Sequence, residues 1–152
     1  MRKQTQVVVT SKIYNANAKD YLLIQSLLES ANLPLDGVNE HLRNFILLKK
    51  GDLLIGTVGL EVYGDKALLR SLAVTKSFRG SGYGRQLYQA IIAKCRPQQI
   101  CEIYLLTETA EDFFAKLGFE KISRDSADVK VKESIEFRSA CPETATCMRL
   151  KL

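Results

Sequence analysis

The chain has 152 residues, 46% of them hydrophobic and 26% charged, with a formal net charge of +5; this is ordinary globular usage at the size of one domain, spanning residues 1–152, and it excludes disordered, collagen-like and disulfide-scaffold classes. No run approaches the ~18 apolar residues of a membrane span, and Met1-Arg2-Lys3-Gln4 leads into a strand-like run instead of a signal-peptide core, so a soluble cytoplasmic protein with no membrane partner is expected. The positive charge suits an anionic partner, but the Lys and Arg residues are dispersed and do not imply nucleic acid.

Gln6 to Tyr14 is rich in β-branched residues and predicts a first strand. A helix follows, with Asn17 as N-cap, Asp20 at N3, and Tyr21, Ile24, Leu27, Leu28 and Ala31 at helical spacing before Leu33-Pro34. A short helix is expected from Val38 to Arg43. Three apolar runs then alternate with Gly-Asp turns: Phe45 to Lys49, Gly51-Asp52, Leu53 to Tyr63, Gly64-Asp65, Lys66 to Val74, which reads as an antiparallel meander. Gly56 and Gly59 inside the second run suggest a bulge or the close approach of another backbone or a ligand. Leu87, Tyr88, Ile91, Ile92 and Cys95 form the stripe of a helix from Tyr83 to Arg96, ended by Pro97. Ile100 to Thr107 predicts a strand, Ala110 to Leu117 a helix stopped by Gly118, Phe119 to Ser123 an extended segment, Asp128 to Glu136 a helical turn, and Thr146 to Leu152 a closing strand.

The segment Arg79-Gly80-Ser81-Gly82-Tyr83-Gly84 lies between a strand and an amphipathic helix, an arrangement that holds phosphate. Glycines remove the Cβ atoms that block close approach, successive N–H groups can face one anion, and the helix N-terminus adds partial positive charge. No Gly-Lys-Ser/Thr follows, as a phosphate-loop NTPase requires, and an antiparallel meander precedes the turn where a dinucleotide fold would open a βαβ unit. A plain turn does not need three glycines in five residues beside an Arg.

Leu72-Ala73-Val74-Thr75-Lys76-Ser77-Phe78-Arg79-Gly80-Ser81-Gly82-Tyr83-Gly84 resembles the Arg/Gln-x-x-Gly-x-Gly/Ala motif of the GCN5-related N-acetyltransferases. Ala110, Phe114 and Lys116-Leu117-Gly118-Phe119 resemble that family's second signature. The resemblance covers Val7 to Leu152 and implies a three-layer α+β fold: a mixed, mostly antiparallel sheet flanked by helices, with acetyl-CoA as co-substrate in a gap between Lys66 to Val74 and Ile100 to Thr107. It also implies that the backbone of Leu72, Ala73 and Val74 pairs with the pantetheine arm, that Arg79, Gly80, Ser81, Gly82, Tyr83, Gly84 and Arg85 cradle the pyrophosphate, and that Thr107 and Phe114 border the cofactor. Two positions depart from the family: Phe114 stands where Tyr is common, and Thr107 where Asn is common. Phe114 cannot donate a proton, yet a CoA thiol leaves well enough near neutral pH without one.

Amine acetylation needs a neutral amine held close to the thioester and donors for the developing oxyanion. Glu61 is the expected base, since the hairpin closed by Gly64-Asp65 sets it opposite Leu68 and on one face with Gly59 and Arg70. A Glu61–Arg70 ion pair without chemistry is the competing reading. Arg70 has a further reading, as the cation for a substrate carboxylate or other oxyanion. Glu136 to Met148, with Leu69 to Val74 and Leu105 to Ala110, resembles the acetyltransferase subgroup labelled arsenic resistance and is similar to the acetyltransferase domain of acetylglutamate synthases, which implies a small amino acid or amino-acid-like oxyanion as acceptor. Cys95, Cys101, Cys141 and Cys147 have no paired short spacing of a zinc site and read as reduced thiols, and the sole histidine, His41, stands among polar neighbours; no metal is expected. An acetyl-CoA-sensing module without turnover, a protein-directed acetyltransferase and a homodimer remain open.

Overall fold

The two Gly-Asp pairs build the centre of the fold. In the computed structural model, which describes residues 10–152, Gly51 and Gly64 take φ of 61° and 64°, the left-handed value that a two-residue turn of type II′ needs at its first position. They fold β2 (Phe45–Lys50), β3 (Leu53–Tyr63) and β4 (Lys66–Val74) into the expected meander. β1 (Ser11–Asn15) runs antiparallel to β2; the expected start of that strand, Gln6 to Val9, lies outside the described residues. β5 (Glu102–Thr107) joins β4 in parallel, and β7 (Thr146–Lys151) lies between β5 and β6 (Glu120–Ile122), giving the order β1-β2-β3-β4-β5-β7-β6.

Helices cover both faces. At Asn17 the side chain accepts from the Lys19 N–H, and Asp20 accepts from the Asn17 N–H at 3.0 Å, so a closed capping box leads through a 3-10 turn into α1 (Tyr21–Ser30). Ile24, Leu27 and Leu28 of α1 pack on Phe45, Leu47 and Ala73. On the opposite face Leu87 and Ile91 of α2 (Tyr83–Cys95) and Phe114 of α3 (Glu111–Lys116) meet Ile46, Ile55, Leu60, Leu69 and Ile103. Back on the α1 side, α4 (Val129–Lys132), capped by Asp128, and a π-helical turn at Glu136–Ala140 close over Leu68, Tyr104 and Cys147. The fold is thus the three-layer α+β arrangement expected. Among the described residues no helix is long and apolar enough to cross a membrane.

The helix expected from Val38 to Arg43 does not form. Gly37 takes φ of 81°, His41 donates to both the Gly37 and Val38 carbonyls, and only a 3-10 turn at Leu42–Asn44 results. Val38 and Leu42 are nonetheless buried; their spacing reports a shared core face in a segment too short to sustain helix nucleation.

Two irregularities in β4 position the site. Thr57 pairs with Ala73 and Gly59 with Arg70, so β4 carries one residue more than β3 across this stretch. The bulge contains Ser71 at φ 61°, a conformation costing a non-glycine residue about 1–3 kcal/mol. It returns Ala73 to the α1 face, where Leu68 and Arg70 also point. The bulge foreseen at Gly56 is present in β3, where Leu48 pairs with Gly56 and Lys49 with Leu54, whereas near Gly59 the extra residue belongs to β4. Both glycines also answer to close approach: a Cβ at Gly59 would lie 2.3 Å from the Phe45 ring, and one at Gly56 2.6 Å from the Ala73 carbonyl. Second, β4 and β5 pair only through Lys66–Leu68 and Glu102–Tyr104. Beyond those residues the strands diverge.

Candidate active site

The divergence opens a cleft of about 560 Å³ whose walls are Leu69 to Val74 on β4 and Leu105 to Ala110 at the end of β5. A second cavity of about 310 Å³ adjoins it, lined by Gly80, Gly82, Tyr83, Gly84 and Arg85. Val74, Arg79 and Phe113 border both. A groove therefore leads from the middle of the sheet to the N-terminus of α2.

Gly80 and Gly82 both take φ of 83°, and a Cβ on either would meet nothing within 4 Å. Backbone conformation, not crowding, demands glycine at these positions. Gly82 caps α2, and the first bond of the helix runs from the Gln86 N–H to the Gly82 carbonyl. The N–H groups of Tyr83, Gly84 and Arg85 are left without helical acceptors at the positive end of the helix dipole. Arg79 donates through Nε to the Val74 carbonyl at 3.0 Å, which holds its guanidinium where the two cavities meet. This donor set fits a pyrophosphate. Ser81 is exposed in the turn and borders neither cavity. Thr107 spends its hydroxyl on the Ala110 N–H at 2.9 Å, fixing the turn into α3. Phe114 is buried on the cleft wall, edge-to-face with Phe113 and Phe119, and brings no hydroxyl to it.

At the other end lies a buried polar centre. Glu61 and Arg70 are 1% and 3% exposed, and Arg70 Nη1 donates to Glu61 Oε2 at 2.7 Å. Arg70 also donates from Nη1 to the Asp36 carbonyl (2.5 Å), from Nη2 to the Pro34 carbonyl (3.1 Å) and from Nε to Ser71 Oγ (3.1 Å). Four of its five N–H groups are thus committed within the protein. Glu61 in turn accepts from the Tyr63 hydroxyl and lies 3.3 Å from His41 Nε2. Burial first, and then Glu61, raises the Tyr63 hydroxyl well above its ordinary pKa. Glu61 does not border the cleft; Arg70 does. Of the readings left open in the sequence, the geometry favours the ion pair, and it leaves Arg70 without the free fork that would grip a carboxylate in two places.

The carboxyl group that is both buried and on the cleft wall is Glu136, 4% exposed, at the start of the π-helical turn. One oxygen lies 3.8 Å from Arg70 Nε. Its pKa is pushed from the ordinary 4.5 to about 7, by burial above all; Arg70 and the neighbouring Cys141 thiol oppose the rise, while Glu61 and Asp36 add to it. Neither Glu136 nor His41 carries a local signal of this placement in the sequence, where Glu136 belongs only to the C-terminal segment of the resemblance and His41 stands among polar neighbours. Both are brought in by tertiary folding across long stretches of chain, for which no local pattern exists. All four cysteines are unpaired, Cys95 and Cys147 are buried, Cys101 is exposed, and among the described residues no metal-binding group of three or more His, Cys, Asp or Glu is assembled.

Residues 41–121, just over half the chain, match the family model of the acetyltransferase (GNAT) domain. The chain belongs to the GNAT acetyltransferase family. An uncharacterized N-acetyltransferase of Chlorobaculum tepidum is 28% identical over 113 residues, covering 74% of this chain and 70% of the relative. The N-acetylglutamate synthase of Neisseria gonorrhoeae, solved with coenzyme A and N-acetyl-glutamate, shares the fold at a TM-score of 0.81 and 22% identity over 96% of this chain, which spans only 36% of that synthase. Rv2747 of Mycobacterium tuberculosis, solved with CoA and NLQ, has a TM-score of 0.73 at 23% identity, with 93% of this chain and 99% of that one covered.

Proposed function

We propose that this single-domain protein transfers acetyl directly from acetyl-CoA to a small amine of the amino-acid class, in a ternary complex and in the cytoplasm. The observation that carries the reading is the continuity of the groove from the β4–β5 divergence to the N–H groups at the start of α2. Tyr83, Gly84, Arg85 and the glycine turn would hold the pyrophosphate, with Arg79 supplying the fixed cation. The unpaired edge of β4 at Leu72, Ala73 and Val74 would bond the pantetheine amides, and a strand N–H there would face the developing oxyanion. Thr107 and Phe114 would border the acyl end. The amino-acid class is supported by the resemblance of the C-terminal segment to arsenic-resistance acetyltransferases and by the N-acetyl-glutamate bound to the gonococcal synthase.

Replacing Gly82 by Val puts a β-branched residue at φ 83°, forces the turn to rearrange and removes one or two charge-assisted hydrogen bonds. CoA affinity measured by calorimetry is expected to fall at least about tenfold with the fold retained. An unchanged affinity removes the pyrophosphate assignment. Phe114 favours one second reading, a module that binds acetyl-CoA without turnover, because the wall offers no phenol to the leaving sulfur. Thiol release from acetyl-CoA across the amino acids separates the two.

A further inference from the structure

Glu136 joins three properties that no other carboxylate in the described site combines. It borders the cleft, it is buried, and it lies 3.8 Å from the fixed Arg70 guanidinium. Glu108 also borders the cleft but is exposed, and Glu61 is buried and paired with Arg70 but does not border the cleft. Resting on the reading above, we infer that Glu136 is the base that takes the proton from the acceptor amine, with Arg70 as the fixed cation beside it. The acceptor then enters where Asn32-Leu33-Pro34, after α1, and Cys141 and Ala145 line the cleft together with Glu136.

The chemistry balances without another reactant. Glu136 as carboxylate removes one proton from R–NH3⁺. The neutral nitrogen forms a C–N bond to the thioester carbon, the C–S bond breaks, and the second proton lost by nitrogen goes to the departing sulfur as CoA–SH. Glu136 then returns its proton to water. A base serves best when it is half ionised at the working pH, and the surroundings of Glu136 supply that: Glu61 on β3 and Asp36 in the loop disfavour its charge, Arg70 on β4 and the Cys141 thiol favour it, and burial outweighs both. Cys141 itself, pushed up to about 12 by burial and by Glu136, stays a thiol.

The test compares wild type, Glu136→Gln, Glu136→Asp and Glu61→Gln in a thiol-release assay with acetyl-CoA and a panel of the twenty L-amino acids plus ethanolamine and putrescine. Wild-type log kcat/KM for the best amine is expected to bend near pH 7. Glu136→Gln should lose the bend and fall about 10²- to 10⁴-fold with CoA affinity unchanged, Glu136→Asp should keep a bend at reduced rate, and Glu61→Gln should move the bend to lower pH by removing a like charge. A readout independent of turnover is the carboxyl resonance of protein labelled with δ-¹³C-glutamate, in which one signal titrating near 7 should vanish in Glu136→Gln. If Glu136→Gln retains rate and bend, or if Glu61→Gln is the variant that abolishes the bend, Glu136 is not the base although the acetyltransferase reading stands. A wild type that bends nowhere between pH 6 and 8, with no glutamate signal titrating there, overturns Glu136 even where the variants fail to fold. Absence of thiol release by wild type with every amine overturns the enzymatic reading itself, and the inference with it.

Discussion

Arg70 shows how a single side chain can be committed by its neighbours. A guanidinium out of water must have its N–H groups answered, and two carbonyls, one hydroxyl and one carboxylate answer four of them. Those bonds tie the loop at Pro34 and Asp36 to the middle of the sheet and fix the guanidinium 3.8 Å from Glu136. Removing one partner of a buried pair leaves the other charge uncompensated, which typically costs about 3–5 kcal/mol. Arg70→Ala should therefore lower the urea midpoint by that equivalent and impair carboxylate-bearing and neutral amines alike. A stable variant whose KM rises for the carboxylate-bearing amine alone would give Arg70 back the anion-binding role that its place in the strand suggested. That place was legible: hairpin counting set Glu61 opposite Leu68, as observed. What the sequence did not contain is the loop carbonyls, since a backbone oxygen contributed by Pro34 or Asp36 leaves no mark in residue type.

Among elements, the meander is the best specified because two unlike signals agree on it, the apolar runs and the Gly-Asp turns between them. Its internal glycines carry a quantitative expectation. At Gly59 a methyl group would enter the Phe45 ring, itself wholly buried, so Gly59→Ala should cost about 3 kcal/mol by overpacking. Urea unfolding with an unchanged slope and a lower midpoint checks it; an unaltered midpoint means that Phe45 can rotate away at no cost. The capping box at Asn17 and Asp20 was equally readable, being a local contract between side chains and backbone within four residues. The extra residue in β4 was not. Ser71 has no feature of a left-handed residue, and its conformation is imposed by packing on both sides of the strand, where β3 must stay paired while β5 departs. The same limit explains the π-helical turn at Glu136–Ala140, which the expected helical turn approached but did not describe.

For the whole molecule, Glu136 contributes one pH dependence to stability. Below pH 4.5 the carboxyl is neutral in folded and unfolded chains alike. Between 4.5 and about 7 the unfolded chain has released the proton that the folded chain still holds, so stability falls as pH rises through this window and stays lower above it, by a contribution on the order of 3 kcal/mol. Glu136→Gln holds no such proton, so its stability relative to wild type should climb from pH 5 to pH 8 in chemical denaturation; a constant difference contradicts the burial argument. The glycine turn was legible because its chemistry is written in contiguous residues, whereas the base had to await assembly of β3, β4, the 34–36 loop and the C-terminal segment. The short β4–β5 ladder has its own consequence for the molecule. The sheet is two pieces, β1 to β4 and β5 to β7, sewn together along Lys66–Leu68 and open above that seam. A ligand that bonds the bare edge of β4 while resting on the β5 side acts as an absent strand, so its binding free energy is also cohesion between the halves. Occupancy and rigidity of this protein are then one quantity seen from two directions, and under the proposed function its loosest join is the place a co-substrate would mend.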